Sequence, residues 1–342
     1  MIKHDMKIKH KFIFILFIFV TFQYNLIADA EDQESIEINA KIEIEKVSRN
    51  IINALRYGKF GLADAEWKKI QSEVYKSYAE YDYLNGSLLY SRMEWQEAKE
   101  SLNRTLKKEP NHEAASFLLG MIYAQEDSWS EAKETWLETN QISPYNPFYH
   151  YNLGLAYYIL KDYNNAITSL SKSLEYKANY NEAKLILAKT YLELNQVEKA
   201  KAELTAILEQ DPKHMLASHL MGRVVYLLEK DPKKSLTYLK NPRALGWREK
   251  KVYARCYFEM RKWREAENLL RPIAYSPFAD EYDQSFYLNL LLNLGFDERA
   301  NDFFHFIQKQ SQNESKIAEA YRMLLSSREG KDLLYHYFKL RY

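Results

Sequence analysis

Cysteine is almost absent from the chain: Cys256 is the single one among 342 residues. No internal disulfide can therefore form in any compartment, and stability must come from packing. Glycine numbers only 9, about 3% against a usual ~7%, which is too sparse for folds built on Gly-rich loops or many tight turns. Seven valines disfavour a sheet-rich architecture. Neither charge sign dominates, since 48 Lys and Arg face 47 Asp and Glu, and a nucleic-acid partner, which selects strongly basic domains, is not expected. A zinc-protease string, a nucleophile elbow and a phosphate loop are all missing. The scattered histidines, among them His112 and His214 just after prolines, read as solvated turns. No catalytic residue, metal or cofactor is expected.

Long apolar runs are also lacking, with one exception. Lys3, Lys7, Lys9 and Lys11 precede an unbroken stretch from Phe12 to Val20, extended by Thr21 and Phe22, and a polar segment then ends in Ala28-Asp29-Ala30. This three-part form is that of an export signal with small residues at the cleavage positions. The apolar core is shorter than the ~20 residues needed to span a bilayer as a helix. Cleavage after Ala30 is expected, giving an exported chain with no stable membrane insertion, placed in the cell envelope or periplasm. Cys256 falls where a small buried residue is expected and reads as inert core.

What is present in quantity is Ala, Leu, Glu, Lys and Tyr, and these recur with a period. Similar strings place alanines at Ala98, Ala132, Ala166 and Ala200, 34 residues apart; Ala266 lies two slightly short periods on and Ala300 another 34. Twelve residues before these alanines stand Gly86, Gly120, Gly154, Ala188 and Ala254, and nine before them Leu89, Tyr123, Tyr157, Tyr191 and Tyr257. Glycine inside a helix costs about 1 kcal/mol relative to alanine. Glycines kept at one phase, Gly222 included, therefore imply that a neighbouring helix fills the space of a side chain. Apolar residues at spacings of three and four give each unit two amphipathic helices joined by a short turn. Trp95, Trp129, Tyr163 and Trp263 suit that turn, with Ser130 and Asn164 as caps of the second helix and Asn146-Pro147 opening a first helix.

The order of small residue, Tyr, Ala, large apolar residue and terminal Pro (Pro110, Pro144, Pro212) resembles the tetratricopeptide repeat. The resemblance implies an all-α, right-handed α-solenoid of about seven to eight helical hairpins with terminal capping helices. On this phase residues 1–30 are the signal, 31–78 are N-terminal helices with a diverged first repeat, 79–314 form the solenoid and 315–342 cap its end. Within 215–246 Ser235 replaces the alanine and Asp231-Pro232 shortens the inner turn. Segment 31–47 alternates like a strand yet carries the helical stripe Ile36, Ala40, Ile44, Val47, Ile51, Leu55, so it is read as helix, with an extended arm as the alternative.

In the resembled family the first helix of each hairpin lines a concave face that holds a peptide or a partner helix. Carried onto this chain, the partner-facing positions are Tyr83 and Tyr90, Phe117 and Met121, and Tyr151, Leu155 and Tyr158, followed by Arg223, Lys251 and Arg255. Ser87, Leu185, Lys189, His219, Tyr226 and Phe258 share the phase. The first half is aromatic and apolar. From Arg223 to Arg271 fourteen Lys and Arg face six Asp and Glu, and the three inward cations are expected to take an acidic group. Ser87, Met121 and Leu155 stand where the family's carboxylate clamp needs asparagine, which disfavours that particular ligand mode. The sequence thus reads as a non-enzymatic scaffold or adaptor for a protein or peptide partner. A polysaccharide-binding module and an envelope hydrolase using groove carboxylates are the alternatives, and the pattern specifies no oligomeric state.

Overall fold

The computed structural model describes residues 35–239, 245–277 and 279–310. The proposed signal and the proposed C-terminal capping helices lie outside these residues. Among the described residues there are seventeen α-helices and no strand. They divide into two compact units, up to Leu160 and from Lys161 onward.

The first unit holds α1 (35–56), α2 (Phe60–Trp67), a 3-10 turn (Lys68–Ile70), α3 (Glu73–Lys76), α4 (Ala79–Ser91), α5 (Trp95–Lys108), α6 (Glu113–Gln125), α7 (Trp129–Ile142) and α8 (Pro147–Ile159). The second holds α9 (Tyr163–Tyr176), α10 (Asn181–Glu193), α11 (Val197–Gln210), α12 (Met215–Glu229), α13 (Pro232–Thr237), α14 (Trp247–Glu259), α15 (Trp263–Ala274), α16 (Glu281–Asn293) and α17 (Asp297–Gln310). Within each unit the helices pack as antiparallel neighbours in chain order, α4 on α5, α6 on α7, α10 on α11 and α14 on α15. Segment 35–46 is helical, so the extended-arm reading fails there. Ala40, Ile44, Val47, Ile51 and Ala54 of α1 are buried. The diverged first repeat departs from expectation in its second helix, which breaks into α2, the 3-10 turn and α3.

The seam inside each hairpin is made by the small residues. Ala98, Ala132, Ala200, Ala266 and Ala300 have no exposed surface. A Cβ placed on Gly86 would meet Leu102 of α5 at 2.9 Å. One on Gly120 would enter the indole of Trp136 on α7, at 2.7 Å from Cδ1 and 2.9 Å from Cε2. One on Gly222 would run into the Tyr253 phenol, 2.9 Å from Cζ, and lie 3.0 Å from the Ser235 carbonyl. The glycine phase is a helix-contact phase, as the spacing implies.

Each inner turn is closed by a left-handed residue. Met93, Asp127, Lys161, Asn195, Lys230, Arg261 and Gly295 have φ of 63°, 58°, 62°, 55°, 54°, 57° and 73°, and only the last is the glycine that this region favours. The Met93 N–H bonds the Tyr90 carbonyl at 3.0 Å and the Glu94 N–H the Leu89 carbonyl at 3.0 Å. That pair of bonds is the Schellman ending of a helix, which satisfies carbonyls that would otherwise be orphaned. The same long bond recurs from Ser128 to Tyr123, Gln196 to Tyr191, Lys262 to Tyr257 and Phe296 to Leu291, at 2.8 to 2.9 Å. The recurrent tyrosine therefore marks the last turn of each first helix.

The second helices begin at the aromatic residue itself, so Ser130 and Asn164 lie inside the first turn and are not caps. Ser128 and Asp162 hold the cap positions, and the Asp162 carboxylate accepts from the Asn165 N–H at 3.3 Å. Asn146 caps α8 as expected, accepting from the Phe148 N–H at 3.0 Å with Pro147 behind it. His112 and His214 are not solvated turn residues. Each is half-buried and caps a helix, with Nδ1 accepting from the Ala115 and Ala217 N–H groups, both at 3.2 Å.

Candidate functional site

In the first unit α4, α6 and α8 supply the residues of the expected binding face. Helix α4 packs on α6, and Phe117 of α6 reaches Tyr149 of α8 with ring centroids 4.8 Å apart. Tyr83, Phe117 and Tyr151 occupy equivalent positions of successive 34-residue units, as do Met121 and Leu155. Those positions recur on the same side of each hairpin. Tyr83, Tyr90, Phe117, Met121, Tyr151, Leu155 and Tyr158 are all half-buried. Ser87, which shares the phase, is buried and donates to the Tyr83 carbonyl at 2.9 Å.

The rings are engaged with one another rather than held open. Tyr83 packs on the His112 imidazole at 4.7 Å, Tyr90 meets the edge of Trp95 at 5.2 Å, and Phe117 also approaches Trp136 at 6.3 Å. Burial pushes the Tyr83 phenol above its ordinary pKa. Burial, with the Glu113 carboxylate added, pushes Tyr149 up to about 12. Both phenols are therefore neutral hydrogen-bonding groups at any physiological pH. Tyr83 and Phe117 thus join one hairpin to the next, while Tyr90 packs within its own.

Beside Tyr83 lies a polar network with no counterpart in the sequence reading. The Ser48 hydroxyl donates to Glu80, and His112 Nε2 lies 3.3 Å from the other Glu80 oxygen. Burial lowers the His112 pKa, but the hydrogen bond and charge of Glu80 outweigh it and hold the imidazole above its ordinary value. Burial likewise raises Glu80, and the bonds from His112 and Ser48 overcome it, leaving the carboxyl below the usual range. Asp82, 5% exposed, is held by Arg104 at 2.9 Å and Lys108 at 2.7 Å. A serine, a glutamate and a histidine meet here, but the serine bonds the acid and not the imidazole, so no base activates it. The network fixes α1, α4 and the start of α6 to one another.

In the second unit the three expected cations are half-buried on α12 and α14, which pack together. Each already faces an acid of the protein. Arg223 lies 3.9 Å from Glu249, and Arg255 lies 3.6 Å from Glu259. Lys251 is 2.6 Å from Asp283 and 3.5 Å from Asp280, and its ammonium also sits 4.7 Å from the Trp247 ring centre. Asp283 is 1% exposed, and burial pushes its carboxyl up against the pull of Lys251. His219, Leu185 and Tyr226 are buried. Their outward phase in the sequence is overridden by the next helix, which covers them. Cys256 is fully buried, and burial drives its thiol up to about 11, so it is the inert core residue expected. Among the described residues no cluster of His, Cys, Asp and Glu could hold a metal ion.

The period, the hairpins and the glycine seam converge with what the chain is similar to. Residues 83–147 and 158–224 each match a family profile described as tetratricopeptide repeat. Over those two segments the chain is similar to tetratricopeptide repeats. Among solved structures, one from a functional characterisation of Pseudomonas aeruginosa pilF matches with 18% identity and a TM-score of 0.53, over 66% of this chain and 99% of that one. YrrB, described as a TPR protein with an unusual peptide-binding site, matches at 19% identity and a TM-score of 0.45, over 57% of this chain and 93% of that one. A tetratricopeptide repeat protein from Parabacteroides merdae matches at 14% identity and 0.48, over 73% and 99%. No curated protein matches the chain. At 18% identity the likeness to the pilF structure speaks for the fold alone. Tetratricopeptide-repeat proteins are in general protein-interaction scaffolds.

Proposed function

We propose that the chain is a non-catalytic scaffold which holds a protein or peptide segment against the α4–α6–α8 face of its first unit. The observation that carries this reading is the recurrence of half-buried aromatic and apolar side chains at equivalent positions of three successive first helices. Tyr, Phe and Met are enriched at protein interfaces, and residues partly desolvated before binding lose little water when a partner covers them. The glycan reading is less favoured, because sugars stack on open ring faces and the faces of Tyr83 and Phe117 are turned to His112 and Tyr149. The hydrolase reading is less favoured because Glu80 and Asp82 are tied into bonds that hold helices together. We further propose that the protein works after export, in the cell envelope, on the strength of the Lys-rich start, the short apolar run and Ala28-Asp29-Ala30.

The test is site-specific photo-crosslinking in an envelope extract. A benzophenone residue at Met121 or Tyr158 should capture one discrete protein, and the same residue at Lys107 or Glu138 of the second helices should not. Capture from the second helices alone would move the binding surface off this face. Fractionation with determination of the amino terminus checks the location: a mature chain beginning at Glu31 outside the cytoplasm is expected, and an intact residue 1–30 segment in a cytoplasmic product refutes it.

A further inference from the structure

The positive charge of the second unit lies elsewhere than the sequence pattern indicates. The cations turned toward the first-helix face are matched by internal acids, whereas those at the inner turns are not. Lys230 and Arg261 are the left-handed residues closing the α12–α13 and α14–α15 hairpins. Lys230, Lys233, Arg261, Lys262 and Arg264 are all exposed. Among the described residues none of these five forms an ion pair, and Lys230 only rests over the Tyr226 ring at 5.5 Å.

Three of the four acids around them are committed, and the fourth, Glu265 in the first turn of α15, is exposed. Glu229 binds Lys234 at 2.6 Å, and Asp231 accepts from the Lys234 N–H at 2.9 Å as the cap of α13. Glu259 accepts from the Tyr226 hydroxyl at 2.6 Å and lies 3.6 Å from Arg255. The Tyr226–Glu259 bond also joins the last turns of α12 and α14, and α12 and α13 both pack on α14. The two inner turns that follow these helix ends are therefore neighbours on one edge of the unit. Five exposed cations stand together there, against one acid, Glu265, that forms no ion pair among the described residues.

We propose that this edge docks on an anionic lipid bilayer, through phospholipid headgroups. Tips of adjacent turns can reach a plane at the same time, and long exposed Lys and Arg side chains need no shaped pocket to meet a headgroup layer. Each cation near such a surface adds an attraction that falls off within a Debye length. This inference does not depend on the α4–α6–α8 face.

The experiment is co-sedimentation of the full chain with vesicles of phosphatidylglycerol and phosphatidylcholine mixed at about three to seven, in ~0.05 M and ~0.3 M salt. Pure phosphatidylcholine vesicles measure any contribution of the apolar run Phe12–Val20. Binding should be at least ten-fold tighter to the anionic vesicles at low salt and fade at high salt. The variant K233E/R261E/K262E/R264E should lose at least ten-fold of that preference, with circular dichroism melting unchanged. A control with the same charge change in the other unit, R49E/K59E/K68E/K107E, should keep most of it. The proposal is overturned by equal binding to both vesicle types, by equal losses in the two variants, or by an edge that retains poly-glutamate but not vesicles.

Discussion

Replacing Gly120 by alanine puts the packing argument to its sharpest test. The added methyl carbon would stand 2.7 Å from Cδ1 and 2.9 Å from Cε2 of Trp136, with Nε1 nearer still, where ordinary contact begins at 3.4 Å. The indole must therefore retreat by about 0.7 Å or more. It has nowhere easy to go, because Trp136 is 1% exposed and its N–H donates to the Phe117 carbonyl at 3.2 Å. Overpacking of this kind costs about 1–3 kcal/mol, and weakening the indole hydrogen bond adds up to ~1 kcal/mol. Against this, alanine is the better helix former by ~1 kcal/mol. The expected net loss is about 0–3 kcal/mol, and its middle value of ~1.5 kcal/mol is on the order of 5 °C in the melting of the unit that carries it. Gly61 supplies the control, since nothing lies within 4 Å of a Cβ there and Gly61→Ala should be neutral or stabilising by up to ~1 kcal/mol. Thermal and urea denaturation of both variants, repeated in a Trp136→Phe background, is the assay. Gly120→Ala should cost at least ~1 kcal/mol less beside the smaller ring. Equal costs in the two backgrounds, or the same sign for Gly61→Ala and Gly120→Ala, would refute the claim that the glycine exists for the tryptophan.

Three further outcomes are expected. Lys251→Met leaves Asp283 buried without its cation, a change that typically costs about 3–5 kcal/mol, whereas removing both as Lys251→Met with Asp283→Leu should recover much of the loss in urea melts. The coupling between Glu80 and His112 should depend on pH with a definite sign. Glu80 is held below its ordinary 4.5, so its contribution is present above that value and is lost as pH falls; His112 is held above its ordinary 6.5, so its contribution is present below that value and is lost as pH rises. A double-mutant cycle with Glu80→Gln and His112→Asn, the asparagine keeping the α6 cap, should give its largest coupling near pH 5.5 and a smaller one at pH 8.5, and a flat profile would count against the pair. Cys256, with its thiol raised to about 11 and no exposed surface, should resist thiol reagents in the native chain and react on unfolding; rapid labelling without denaturant would mean that its helix contacts open.

The sequence by itself determined the all-helical hairpin pattern, because a 34-residue recurrence of small residues is a statement about which helices must touch. Ala98 and Ala132 are buried and Gly86, Gly120 and Gly222 face ring or aliphatic carbons for that reason. Local signals sufficed at Asn146-Pro147 but misplaced the caps of α7 and α9 and missed those made by His112 and His214. Turn geometry was less legible, since left-handed closure at Met93, Lys161 or Arg261 is imposed on residues with no preference for it by helices already fixed on both sides. The candidate face was legible in position but not in state. Periodicity shows which side of a helix a residue occupies, and cannot show whether the next hairpin covers it, as with His219 and Tyr226, or leaves it half-buried, as with Tyr90 and Phe117. Charge behaved in the same way. Lys251 and Asp283 are 32 residues apart and meet only because α14 and α16 are brought together, while Lys233 and Arg264 form no ion pair among the described residues. Ion pairing across helices is a property of tertiary distance, and a count along the chain carries no distances.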